Sequence, residues 1–83
     1  MTKDDIFFRI VEILHEYFDV DPTQVRLDSL LYDDLDIDSI DAVDLIVRLR
    51  PLVGRGLQPE VFKTVRTVED VVDALNRLIS DEA

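Results

Sequence analysis

At 83 residues, 47% of them hydrophobic, the chain can build one compact core and has no room for a second, so it reads as a single domain over residues 1–83. Nineteen Asp and Glu stand against nine Lys and Arg, a net charge of −10, which repels nucleic-acid phosphates and anionic membrane surfaces and favours basic protein partners. Cysteine is absent, which excludes disulfides, thiolate metal sites and a side-chain thiol nucleophile, so any thiol chemistry must arrive on an added group.

The first element is a helix from about Lys3 to Phe18. Ile6, Ile10, Ile13, Leu14, Tyr17 and Phe18 recur at spacings of three and four, the period of a helix that buries one face. Thr2 with Asp5 three positions on marks its start as a capping pair. Asp21-Pro22 breaks the pattern, and the stretch from Val20 to Ile37 reads as a long ordered loop. Asp38 is placed to cap a second helix whose apolar residues Ile40, Ala42, Val43, Leu45, Ile46, Val47 and Leu49 cover most of the circumference, leaving Asp41, Asp44 and Arg48 as a polar stripe. At about 100° per residue, Ala42, Leu45, Ile46 and Leu49 share one side while Ile40, Val43 and Val47 flank the stripe. One flank suits a core and the other a partner. Pro51 predicts a stop or kink near Leu49. Gly54 and Gly56 then permit a flexible turn. Pro59 suits the first position of a short helix through about Lys63, anchored by Val61 or Phe62. Thr67 with Asp70 repeats the capping pair before a last helix carrying Val68, Val71, Val72, Leu75, Leu78 and Ile79, ending near Ser80. The expected architecture is all-α, a bundle of three main helices and one short one, with no strand pattern and no repeat. No apolar run approaches the roughly 18 to 20 residues that cross a bilayer, and the start Met1-Thr2-Lys3-Asp4-Asp5 lacks the blocks of a signal peptide. A cytoplasmic monomer, with no membrane insertion and no nucleic-acid partner, is the expectation.

The segment Asp33-Asp34-Leu35-Asp36-Ile37-Asp38-Ser39-Ile40-Asp41-Ala42-Val43-Asp44-Leu45 sets one hydroxyl among carboxylates at the start of an apolar helix. It resembles the acyl carrier protein family, whose Asp-Ser-Leu motif follows a Leu-Gly lead and opens a helix of the type Asp-Ser-Leu-Asp-x-Val-Glu-Leu. Leu35, Asp38, Ser39, Asp41, Val43 and Leu45 match; Ile40 and Asp44 are conservative changes. The order of elements extends the resemblance over the whole chain and implies the family's four-helix bundle with its long first loop. It further implies that a phosphopantetheinyl transferase attaches 4′-phosphopantetheine from coenzyme A to Ser39, with Asp38 helping to present it, and that the chain catalyses nothing itself. Ketosynthases, acyltransferases or acyl ligases of a fatty acid, polyketide or related lipid pathway are the implied partners. They would read Asp34, Asp41, Asp44 and Arg48 by charge and Ile40, Val43 and Val47 by apolar contact. Leu45, Leu49, Phe62 and Val65 are the expected lining for an acyl chain.

Blander readings compete. An Asp-Ser pair at a helix start is commonly only a cap. Asp34-x-Asp36-x-Asp38 imitates the opening of a calcium loop, but Ser39 stands where that loop needs Gly and Leu45 where it needs Glu, so no metal site is assigned. The single histidine, His15, has no partner motif for hydrolysis and takes a structural or surface role. Phe7, Phe8, Phe18, Tyr32 and Phe62 read as core or core-edge residues. Two departures from the family pattern stand out: Asp36 replaces the usual Gly, and Arg48, Arg50, Arg55, Lys63 and Arg66 make the segment they span basic, which suggests a dedicated pathway rather than general fatty acid synthesis. A peptidyl or aminoacyl carrier, an unmodified helical interaction module and a weak calcium binder are the alternatives.

Overall fold

The computed structural model describes residues 2–53, 57, 60 and 63–82. Among these residues three α-helices form the frame: α1 over Lys3–Phe18, α2 over Ser39–Val53 and α3 over Val68–Glu82, with a short 3-10 turn at Pro22–Gln24. Of the short helix expected from Pro59 to about Lys63, the residues Pro59, Val61 and Phe62 lie outside the described residues, as do Gly54, Arg55 and Gly56 of the expected turn.

Helix α1 begins and ends where local chemistry dictates. The Thr2 hydroxyl accepts from the Asp5 N–H at 3.2 Å and the Asp5 carboxylate accepts from the Thr2 N–H at 3.0 Å, so these two amides at the helix start are partnered reciprocally. These bonds hold the Asp5 carboxyl below its ordinary value, the Thr2 backbone bond contributing most. At the other end Asp19 turns left-handed with φ 58°, which lets the Val20 N–H reach the Leu14 carbonyl at 3.1 Å. His15 donates from Nδ1 to the Val20 carbonyl at 3.2 Å and so stitches the same corner.

Helix α1 packs against both α2 and α3. Ile6, Ile10 and Leu14 from α1 meet Ala42, Leu45, Ile46, Leu49 and Val53 from α2 and Val68, Val71, Val72 and Leu75 from α3 in one continuous core. Each large side chain so enclosed contributes about 1.5–3 kcal/mol relative to exposure. The expected stripe of α1 is narrower than its period suggested: Ile13 and Phe18 are half-buried and Tyr17 is exposed. Phe8 and Tyr32, expected at the core edge, are also exposed, because the two neighbouring helices cover only one side of α1 and the Tyr32 turn lies on the outside of the loop.

Pro51 does not end α2. The helix runs two residues further, to Val53. The carbonyl that loses its donor belongs to Val47, itself exposed, so water can replace the bond, and in the last turn the ring leaves little downstream helix to break.

The long loop is held from both sides. Val25, Leu31, Leu35 and Ile37 reach into the core, and the buried Ser29 hydroxyl is satisfied by the Arg26 N–H and the Gln24 carbonyl. A short antiparallel seam then joins loop to α3. Leu30 bridges Thr67; Leu31 N–H donates to Arg66 at 2.9 Å, Val68 N–H to Ser29 at 3.0 Å and Glu69 N–H to Leu27 at 2.9 Å. The last two are first-turn amides of α3, so the loop completes the cap begun by the mutual Thr67 and Asp70 bonds. Asp70 accepts from the Arg66 and Thr67 N–H groups, and these bonds lower its carboxyl from the ordinary value.

Candidate functional site

The site forms where the loop launches α2. Leu35 and Ile37 are buried on either side of Asp36, which takes φ 57°. This is the left-handed turn that glycine makes most easily, and aspartate is one of the few other residues to enter it at small cost. The turn is therefore made without glycine.

Asp38 is the cap of α2. Its carboxylate accepts from the Asp41 N–H at 2.8 Å, and its carbonyl accepts from the Ala42 N–H at 2.9 Å. Ser39, the first residue of the helix, is exposed, and its hydroxyl makes no hydrogen bond among the described residues. The Asp-Ser pair thus divides two jobs: the aspartate satisfies the helix start and the serine is left available. A phosphodiester on that hydroxyl would sit at the positive end of α2 with water on its other side, so the residues present fit the group that the resemblance implies.

Beside Ser39, Ile40, Val43 and Val47 are 77%, 50% and 51% exposed. With Ser39, Asp41 and Asp44 they line one shallow open surface, so the structure gathers six of the expected residues on one face. Asp34 stands on the preceding turn with one carboxylate oxygen bonded to the Leu30 N–H at 2.8 Å. Arg48 is held rather than free: its Nε lies 3.3 Å from Asp44 Oδ2, and its guanidinium lies 3.7 Å above the centre of the Tyr17 ring. Tyr17 is the residue that reading the chain misplaced, since its spacing belongs to the buried stripe and nothing local signals the arginine it supports.

Of the expected acyl lining, Leu45 and Leu49 are fully enclosed and Val65 is buried. Val65 also borders a surface hollow with Leu30, Tyr32, Asp33, Lys63 and Arg66. Phe62 lies outside the described residues. Among the described residues no three His, Asp or Glu side chains stand close enough together to hold a metal ion.

Residues 9–75 match the family model described as the phosphopantetheine attachment site. The chain is 46% identical over 80 residues to acyl carrier protein 2 of Ralstonia nicotianae, covering 96% of this chain and 99% of that one. The chain belongs to the acyl carrier protein family. It is also 35% identical to the acyl carrier protein of Petrotoga mobilis, over 96% of this chain and 94% of that one. The fold is that of the acyl carrier protein of Thermotoga maritima, whose crystal structure superposes with a TM-score of 0.83 at 22% identity, covering 98% of this chain and 94% of that one. An acyl carrier protein is not an enzyme; its prosthetic group is a covalent 4′-phosphopantetheine. Membership of this family speaks against the reading of an unmodified interaction module.

Proposed function

We propose that Ser39 is the attachment point of the phosphopantetheine arm and that the chain delivers acyl groups to enzymes docking on the exposed flank of α2. The observation that carries this is the division of labour at the helix start, where Asp38 makes the cap and leaves the exposed Ser39 hydroxyl free. The arm, when attached, supplies the thiol that carries the acyl group as a thioester. Among the described residues none accepts a hydrogen bond from the Ser39 hydroxyl, so on this reading a phosphopantetheinyl transferase supplies the proton acceptor and the Mg²⁺, and the carrier is the substrate of that step.

Docking follows from the same surface. Asp34, Asp38, Asp41 and Asp44 attract Lys and Arg on the approaching enzyme, and Ile40, Val43 and Val47 give it an apolar foothold. Exposed ion pairs are worth up to about 1 kcal/mol each, which suits a carrier that binds and leaves many times. Net charge opposes self-association, in keeping with a monomer, and no described helix is long and apolar enough to cross a membrane; we place the carrier in the cytoplasm.

Incubation with coenzyme A, Mg²⁺ and a broad-specificity transferase is expected to add one phosphopantetheine to the intact mass, and Ser39→Ala to abolish the addition. A folded wild-type chain that stays at its unmodified mass refutes the assignment. The basic residues Arg48, Arg50, Lys63 and Arg66 support a dedicated carrier for a polyketide or specialised lipid pathway over general fatty acid synthesis. Charge reversal at Arg48 and Arg55 is then expected to change the preference between pathway-specific and housekeeping ketosynthases; an unchanged preference removes that part.

A further inference from the structure

A second apolar surface lies away from Ser39. The starts of α1 and α3 enclose a groove of about 370 Å³ whose floor is Phe7, Phe8, Leu27 and Val72. Phe8 is 63% exposed and Leu27 44%, and lying together on one groove they form a contiguous apolar patch of the kind that marks an interaction site. Its ring is tilted at 57° to that of Phe7 with centres 6.2 Å apart, within the range of a favourable aromatic pair. Leu27 is exposed as well, on a backbone fixed by the Glu69 N–H donating to its carbonyl at 2.9 Å.

The rim says what fits. Lys3 Nζ is 2.9 Å from Asp73 Oδ1, so its charge is matched. Asp4 and Glu69 also border the groove and have no cationic partner among the described residues. An apolar floor with two uncompensated carboxylates above it complements an apolar side chain flanked by Lys or Arg. A second copy would bring the same acidic rim and a net charge of −10, and an anionic bilayer is repelled in the same way.

We infer that this groove is a docking site for a basic, apolar segment of a protein partner. None of its lining residues belongs to the surface around Ser39, so a partner seated here leaves that face open, and the carrier can stay held by one protein while another works on its cargo. The last consequence rests on the Ser39 assignment; the groove itself does not.

The test is a titration of the ¹⁵N-labelled full chain with the peptide acetyl-Leu-Lys-Lys-Leu-Leu-Lys-Leu-amide, set against its counterpart with Glu in place of Lys. Saturable amide shifts at Phe8, Leu27, Glu69 and Val72 are expected with the basic peptide, alongside a separate set on α2. Phe8→Ser should weaken the groove set by about tenfold and leave the α2 set in place. The pair Asp4→Lys with Glu69→Lys keeps the floor intact and should weaken it similarly. Shifts confined to α2, an equal response to the acidic peptide, or groove shifts that survive Phe8→Ser overturn the inference. So does concentration-dependent dimerisation abolished by Phe8→Ser, which gives the groove to a second copy. Mass addition by the transferase should be normal in Phe8→Ser, and its failure in the wild type counts against Ser39 alone.

Discussion

Helices α2 and α3 are the same length, 15 residues each, and use their apolar residues differently. In α3, Val68, Val71, Val72 and Leu75 are buried, Leu78 and Ile79 are half-buried, and Glu69 and Arg77 face water. In α2, Ala42, Leu45, Ile46, Leu49 and Val53 fill the core, yet Ile40, Val43 and Val47 point outward. Helix α3 carries the hydrophobicity that its packing requires. Helix α2 carries more, and the surplus lies next to the one hydroxyl that the helix start leaves unused. Apolar residues beyond what a core can absorb are therefore a functional signal in this chain.

Substitutions on the two flanks of α2 should separate most sharply. Leu45→Ala empties a fully enclosed site and is expected to cost about 2–5 kcal/mol in urea denaturation. Val43→Ser, on the outer flank, should stay within about 0.5 kcal/mol of wild type while raising the KM of the transferase. If both are equally destabilising, the outer flank is structural after all. The helix starts give a smaller contrast. Thr67→Ala and Asp38→Ala each remove a capping acceptor and should cost about 1 kcal/mol, whereas Ser39→Ala should leave the urea midpoint unchanged, because its hydroxyl makes no hydrogen bond among the described residues.

The smallest effect distinguishes the caps by pH. The Asp70 carboxyl lies below the ordinary aspartate value of 3.8 in the folded chain, so the unfolded chain binds the extra proton first as the solution is acidified. The stabilisation is complete above that value and is lost as pH falls through the lower, folded one. The stability gap between wild type and Asp70→Ala should accordingly hold at neutral pH and narrow below pH 3.8. A gap that widens on acidification contradicts the bonding described at Thr67.

What could be read along the chain was what neighbouring residues decide. Thr2 with Asp5 and Thr67 with Asp70 mark helix starts because both partners lie within one turn, and Asp38 caps α2 for the same reason. The inner and outer flanks of α2 follow from the helical period. Contacts between distant segments were not legible. The seam from Leu27–Leu31 to Arg66–Glu69 pairs backbone groups that carry no side-chain signature. Tyr17 keeps a helical period with the buried residues of α1, yet only the placement of α2 and α3 decides which part of that stripe they cover. Pro51 misled because the rule against proline holds for a helix interior and weakens in a final, solvated turn.

The seam between the loop and α3 has a mechanical consequence. Leu30 and Leu31 are tied to Arg66 and Thr67, Ile37 N–H is tied back to Leu31 at 3.0 Å, and Asp38 follows directly. The segment leading to Ser39 is thus moored to the body of the protein at several points. On the proposed attachment at that serine, cargo would swing from a moored pivot, its reach set by the tether and not by slack in the polypeptide.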